Sequence, residues 1–148
     1  AVAGGARRRD SVAAGLAALP ADVSVVLIHD AARPLVSPDL ARRVLAAAAR
    51  HGAVVPVVPV ADTIKEVEGD RVLRTLPRAS LAAVQTPQGF RADLLRRALA
   101  ASDADATDEA ALVEALGVPV RTVPGEPRNF KITAPEDLAR AAGLLRAP

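Results

Sequence analysis

Apolar and polar positions along this chain form alternating blocks that predict helices and strands in turn. Short apolar runs at 23–28, 53–59, 82–85, 118–123 and 130–132 are typical of strands. Helix-like spacing of apolar residues predicts helices over 10–19, 38–51, 91–101, 107–116 and 135–145. The run at 53–59 is apolar throughout, as in strands covered on both faces of a parallel sheet. The alternation favours one layered α/β domain with a mainly parallel sheet.

Helix ends are marked by local signals. Ser37 followed by proline and an acid is a helix start, and Gly52 ends that helix. Asp10 is the predicted N-cap of the first helix, and Thr107 can cap the helix at 107–116.

The segment 62–76 interrupts the alternation of helices and strands. Two polar strands, 62–67 and 71–76, flank Glu68-Gly69-Asp70 and predict a β-hairpin. A lone two-stranded hairpin is marginal in water. It is therefore either a solvated excursion or an arm exchanged with a second subunit across a two-fold axis.

Composition excludes several classes of site. The 148 residues, 51% hydrophobic and 24% charged, suit one globular domain with a core. No cysteine is present, which excludes disulfides and thiolate nucleophiles, and two histidines argue against a zinc site. No apolar run has the length of a membrane span, and no leader is evident, so we expect a cytoplasmic protein with no membrane partner. The absence of methionine indicates a piece of a longer chain.

The charge pattern favours a small anionic ligand over nucleic acid. The net charge is only +2, the basic residues are dispersed, and Phe90 and Phe130 are the two aromatic residues. Nucleic-acid modules usually add aromatic stacking platforms to a basic surface. We therefore expect no nucleic-acid partner.

Candidate chemistry is concentrated where the first apolar strand ends. His29-Asp30 follows that strand directly, and Arg33 comes three residues later. Opposite charges at the carboxyl edge of an α/β sheet lie where such sheets bind ligands. Lys131, one of two lysines among 19 basic residues, is a candidate for a compact point charge.

Six motifs in order carry a family resemblance: the glycine pair 4–5 with Ser11 six residues on, HDAARP at 29–34, DTIK at 62–65, QTPQGF at 85–90, TDEA at 107–110 and NFKIT at 129–133. Together they resemble the 2-C-methyl-D-erythritol 4-phosphate cytidylyltransferases of non-mevalonate isoprenoid biosynthesis. The resemblance implies a Rossmann-like three-layer αβα nucleotidyltransferase fold. It also implies a single domain over 1–148 and a homodimer formed through a hairpin arm at about 60–80.

The resemblance implies a reaction in which methylerythritol phosphate attacks CTP and pyrophosphate leaves. The attacking phosphate monoester, with a second pKa of about 6, is already largely ionised at neutral pH, so no general base is needed. Positioning and positive charge then matter most. Mg²⁺ or another divalent cation is the implied cofactor, with Asp30 as its ligand, directly or through water.

Site residues follow from the same resemblance. Lys131 and Asp30 are the expected catalytic residues, and His29 is expected to pack at the strand end. Arg33 would bind the polyol phosphate or order Asp30. The expected substrate-binding set is Asp30, Arg33, Thr63, Arg78, Thr86, Thr107 and Lys131. Thr63 and Arg78, from the arm, would reach the partner's site. The expected nucleotide-binding set is Gly4, Gly5, Ser11 and Ala31.

Two departures from the family pattern leave alternatives open. Nothing in this sequence matches the family's N-terminal strand and glycine-rich triphosphate loop, so we expect this segment alone to be inactive. Ala6 stands where many relatives carry an acid. The alternatives are a cytidylyltransferase for another polyol phosphate, such as ribitol 5-phosphate, and a non-catalytic dimeric remnant.

Overall fold

The computed structural model describes residues 1–103 and 106–146, so the predicted domain end at 148 lies outside the described residues. The helices are α1 (Arg8–Ala17), α2 (Pro38–His51), α3 (Ala92–Ala101), α4 (Glu109–Ala115) and α5 (Pro135–Arg146), with a 3₁₀ turn at Arg78–Ser80. The strands are β1 (Val25–Ile28), β2 (Ala53–Pro59), β3 (Lys65–Glu68), β4 (Arg71–Thr75), β5 (Ala82–Val84), β6 (Gln88–Arg91) and β7 (Arg121–Pro124). Within these ranges, none of the helices has the length and apolar character needed to span a bilayer.

The main sheet is mixed, and β2 lies at its centre. β7 pairs parallel with β2, whereas β5 and β6 pair antiparallel with it and β1 pairs antiparallel with β6. The α/β class is confirmed, but the mainly parallel pairing is wrong for the described residues. After β2 the chain makes the hairpin and returns along β2, and an antiparallel return needs no crossover helix.

β5 and β6 are two parts of one return path along β2 with a break between them. Val54 pairs with Gly89 and Val57 pairs with Val84. β2 advances three residues between these pairs while the opposite segment advances five, so two extra residues bulge from the ladder. The break at 85–87 is buried. The sequence predicts a strand to residue 85 and misses β6.

The core has two parts, one on each face of the sheet. Val54 packs with α2 residues on one face, and the next residue, Val55, belongs to the cluster that includes Phe90 and α3 and α4 residues on the other. Successive strand residues point to opposite faces. Helices therefore cover both faces of β2, which confirms the three-layer arrangement.

α2 begins and ends as predicted. The Ser37 hydroxyl accepts a hydrogen bond from the Leu40 amide at 3.0 Å. Gly52 closes the helix at φ 89°, a left-handed conformation that glycine adopts without a Cβ clash. The buried face of α2, which includes Leu40 and Val44, packs against the sheet.

Two helix starts differ from prediction. α1 starts at Arg8 because Arg7 occupies the cap position and Asp10, in the first turn, accepts from the Arg7 amide at 3.2 Å. In α4 the cap is Asp108, which accepts from the Ala111 amide at 3.0 Å. Asp10 and Thr107 are therefore wrong as predicted caps; a carboxylate one residue beyond Thr107 takes that role.

The predicted strand at 130–132 is an irregular loop, although Ile132 donates its amide to the Ala32 carbonyl at 2.8 Å. The hairpin is confirmed, since β3 and β4 form a separate two-stranded sheet. Its apolar residues Val67, Val72 and Leu73 are exposed in this chain.

Candidate active site

Three cations surround Asp30, and two of them come from distant parts of the chain. The Lys131 ammonium lies 3.1 Å from Asp30 Oδ2, and Arg33 Nε lies 3.9 Å from the same oxygen. Arg8 Nη2 lies 3.5 Å from Oδ1. Asp30 follows β1, Lys131 precedes α5 and Arg8 begins α1. The structure thus brings together the predicted residues Asp30, Arg33 and Lys131 and adds Arg8, which sequence reasoning missed.

The surrounding charges keep the Asp30 carboxyl ionised. Burial raises the pKa of Asp30, whose side chain is 16% exposed. The hydrogen bond and charge of Lys131, with the charges of the two guanidiniums, outweigh burial, so the pKa lies below its ordinary value. For the Arg33 guanidinium, burial has the opposite effect and lowers the pKa, because it disfavours the charged form. At neutral pH the Asp30 carboxylate is therefore a negative charge that lies among three cations.

Thr86 and His29 hold the Asp30 loop through linked hydrogen bonds. The Asp30 amide donates to Thr86 Oγ1 at 3.0 Å, and Thr86 Oγ1 lies 3.0 Å from His29 Nδ1. His29 Nε2 lies 3.1 Å from the Arg33 carbonyl, which can only accept, so Nε2 carries the proton in this arrangement. The Thr86 hydroxyl then donates to Nδ1. Thr86, 5% exposed, directs its hydroxyl toward protein groups.

Gln85 and Asn129 hold the loop that carries Lys131. The Gln85 side chain donates to the Glu126 carbonyl at 2.8 Å and accepts from the Glu126 amide at 3.0 Å. Buried Asn129 donates to the Thr86 carbonyl at 2.7 Å. Sequence reasoning assigned no role to either residue, although both lie in the quoted motifs at 85–90 and 129–133.

Arg33 joins these two loops rather than projecting into solvent. Its Nη1 donates to the Asn129 carbonyl at 2.8 Å, and its Nη2 donates to the Val84 carbonyl at 3.4 Å. Its side chain is largely buried, so of the two predicted roles the contacts favour ordering the Asp30 site.

Two clefts open beside Asp30. The first, of about 390 Å³, includes two of the predicted nucleotide-binding residues, Ser11 and Ala31. The second, of about 220 Å³, includes five of the seven predicted substrate-binding residues: Asp30, Arg33, Thr86, Thr107 and Lys131. Three residues line both clefts: Arg8, Asp30 and Lys131.

The glycine pair makes a close backbone approach at the start of α1. The Gly5 amide donates to Ser11 Oγ at 3.0 Å. A Cβ on Gly5 would lie 2.2 Å from the Asp10 Cβ, and one on Gly4 would lie 2.8 Å from Ser11 Oγ. The turn therefore requires glycine at Gly5 on steric grounds, and its contact with a nucleotide stays a prediction.

Within one copy of the chain, Thr63 and Arg78 lie away from the charged residues around Asp30. Thr63 is exposed between β2 and β3. Arg78 donates to the Ala61 carbonyl at 2.5 Å and lines a separate, mainly apolar cavity of about 920 Å³ beside β2 and β7. Their expected place in a partner's site stays a prediction.

Protein ligands for a metal are sparse. Across 1–103 and 106–146, no three carboxylate or imidazole side chains cluster in a way that could hold an ion. Asp30 contributes one carboxylate at the junction of the clefts. This donor set fits Mg²⁺ that takes its other ligands from phosphate oxygens and water.

Comparison with known proteins finds a matching family model and similar sequences. The family model described as 2-C-methyl-D-erythritol 4-phosphate cytidylyltransferase matches residues 1–147. A protein of that name from Frankia casuarinae is 60% identical over 97% of the chain, which covers 55% of that protein. A bifunctional IspD/IspF enzyme from Solidesulfovibrio magneticus is 60% identical over 99% of the chain, which covers 37% of that protein.

The solved structures agree in fold. The crystal structure of 2-C-methyl-D-erythritol 4-phosphate cytidylyltransferase from Thermus thermophilus matches with a TM-score of 0.91 at 50% identity, covering 99% of this chain and 73% of that one. The chain therefore spans about a third to a little over half of the two curated relatives named above and nearly three quarters of this structure. The family match over almost the whole chain and the shared fold confirm the resemblance carried by the six motifs: the chain belongs to the 2-C-methyl-D-erythritol 4-phosphate cytidylyltransferase family.

Proposed function

We propose that the protein transfers the cytidylyl group of CTP to 2-C-methyl-D-erythritol 4-phosphate, releasing pyrophosphate, in non-mevalonate isoprenoid biosynthesis. The observation that carries the proposal is the 3.1 Å ion pair between Asp30 and Lys131. It joins the motifs at 29–34 and 129–133 where two clefts meet, in a chain of this family.

The chemistry suits a site without a general base. An oxygen of the acceptor phosphate, largely ionised at neutral pH, forms a bond to the α-phosphorus of CTP, and the bond from that phosphorus to pyrophosphate breaks. Lys131 is 47% exposed, so its ammonium can turn from Asp30 toward phosphate oxygens. A cation there stabilises the charge that develops in the transition state.

Asp30 is proposed to hold the acceptor molecule by accepting hydrogen bonds from the hydroxyl groups of that acceptor. Its backbone amide is fixed by Thr86, and its carboxylate is kept ionised by the surrounding cations. A carboxylate accepts hydrogen bonds from hydroxyl donors, which a polyol supplies. Arg33 orders this loop by bonding the Asn129 carbonyl.

Mg²⁺ is the proposed cofactor, with Asp30 as its protein ligand. When bound, the ion neutralises phosphate charge. Lys131 and the guanidinium group of Arg33 would share that role from the protein side.

A homodimer formed through the hairpin is part of the proposal. Apolar residues of β3 and β4 (Val67, Val72 and Leu73) are exposed, which suits burial against a second copy. Arg78 and Thr63 would then meet the substrate in the partner's site. Mixing inactive Arg78→Ala with inactive Lys131→Ala should restore part of the activity. No recovery in confirmed heterodimers would contradict the shared site.

The test of function is pyrophosphate release from CTP by the full-length protein. Release should require both methylerythritol phosphate and a divalent cation. Equal turnover with ribitol 5-phosphate would overturn the choice of acceptor, and binding of methylerythritol phosphate without turnover would favour a non-catalytic protein. Lys131→Ala should abolish most turnover, whereas Arg42→Ala, which removes an exposed α2 cation, should not.

A further inference from the structure

Arg8 lies where the two clefts meet, although the sequence shows it only as the middle of three arginines. It lines both clefts, together with Asp30 and Lys131. Its neighbours are directed elsewhere. Arg7 pairs with Asp10 and Asp103, and Arg9 lines a different cavity.

A buried carboxylate holds the Arg8 guanidinium in this place. Arg8 Nη1 lies 2.5 Å from Glu109 Oε1. Glu109 is 1% exposed, and its Oε2 has no hydrogen-bond partner within the described residues. An unpaired buried carboxylate is costly, so this ion pair fixes a side chain that otherwise has many rotamers. Within the described residues, Arg8 is the ion-pair partner of the Glu109 carboxylate, which lies in the first turn of α4.

The other side of the guanidinium faces the clefts. Its contact with Asp30 Oδ1 is long, at 3.5 Å. These two contacts engage two of the five N–H donors of an arginine. A planar guanidinium suits paired hydrogen bonds to phosphate oxygens, and its side chain is still 36% exposed.

We propose that Arg8 binds a phosphate group at the junction of the two clefts and that Glu109 is the positioning residue that aims it. The proposal deepens the proposed function, because the reacting phosphates of donor and acceptor must meet where the clefts join. It places a third cation beside Lys131 and Arg33 for the charge of the transferred group.

Inorganic pyrophosphate is the probe, with affinity measured by calorimetry on the full-length protein. Arg8→Gln should weaken binding by about 10- to 100-fold, as for a lost hydrogen bond to a charged group. The double variant Arg8→Gln with Glu109→Gln should weaken it as much. That variant keeps the net charge of the protein and leaves two amides that can bond each other. The double variant therefore still tests the role of Arg8 if Arg8→Gln alone fails to fold because Glu109 has lost its partner.

The single variant Glu109→Gln separates positioning from simple electrostatics. Removing a negative charge near an anion site should by itself tighten pyrophosphate binding. Loss of positioning should instead weaken it several-fold. Arg42→Gln, which removes an exposed cation on α2, should leave affinity within twofold.

Affinity of the double variant within twofold of the unaltered protein would overturn the role of Arg8. Unchanged or tighter binding by Glu109→Gln would overturn the role of Glu109. If the unaltered protein binds pyrophosphate through Arg8 but does not turn over CTP with methylerythritol phosphate, the proposed function fails while the phosphate site stands.

Discussion

Replacing Thr86 by valine should loosen the Asp30 loop while preserving side-chain shape. The change removes the oxygen that accepts from the Asp30 amide at 3.0 Å and that contacts His29 Nδ1 at 3.0 Å. Leaving a buried donor or acceptor without a partner costs about 1–3 kcal/mol. The loop keeps the bond from His29 Nε2 to the Arg33 carbonyl, so we expect a loss of about 1–3 kcal/mol in unfolding free energy.

The effect on turnover follows from the same bonds. Asp30 would keep its ion pair with Lys131 at 3.1 Å but lose its backbone anchor. If about 1.4 kcal/mol of that anchoring is lost in the transition state, kcat/KM falls about tenfold. Thr86→Ser retains the hydroxyl and should stay within about twofold of the unaltered protein.

Urea unfolding and steady-state pyrophosphate release measure these two effects. A direct contact between the Thr86 hydroxyl and the substrate would give a different pattern, with KM raised and the unfolding free energy unchanged in Thr86→Val. Equal behaviour of Thr86→Ser and Thr86→Val in both assays would refute the anchoring role.

Two further predictions concern stability. Gly89→Ala would place a Cβ 2.8 Å from both Ala48 Cβ and Val44 Cγ1, so overpacking should cost about 1–3 kcal/mol, whereas Gly143→Ala, with open space around it, should stabilise α5 by about 0.5–1 kcal/mol. Thermal unfolding checks the opposite signs, and a shift in the same direction would contradict them. Because the pKa of Asp30 is lowered in the folded state, its contribution is full above the ordinary pKa of about 3.9 and is lost as pH falls through the folded value. Unfolding between pH 6 and pH 2 should therefore show a smaller acid-induced loss in Asp30→Asn, and an unchanged loss would exclude this origin.

Local chemistry explains which parts of the fold the sequence predicts well. Ser37 and Gly52 bound α2 as expected because a cap hydroxyl and a left-handed glycine act within one turn of chain. The sequence predicts the hairpin equally well, because Gly69 takes φ 58° in the turn between β3 and β4. Each of these features depends on neighbours in sequence.

The parallel or antiparallel pairing of the strands depends on residues that are distant in sequence, so the sequence did not predict it. Residues 53–56 are buried because both faces of β2 are covered there, and that burial is the same beside a parallel β7 or an antiparallel β6. Phe130 and Ile132 have the composition of a strand, yet the segment is tied to Ala32 as a loop. In both cases the apolar composition indicates that a segment is buried, but it does not indicate which strand, if any, pairs with that segment.

The same distinction applies to the candidate site. The motifs supplied Asp30 and Lys131, but the contacts that bring them together lie elsewhere, and two adjacent residues at the break between β5 and β6 contribute to them. Gln85 holds the loop of Lys131 through Glu126, and Thr86 holds the loop of Asp30. Because Gln85 and Thr86 are adjacent, a shift of either loop relative to the other would distort the buried break between β5 and β6. The first two residues of QTPQGF therefore help to hold the loops of Lys131 and Asp30 next to each other, and the expected contact of Thr86 with substrate stays a prediction.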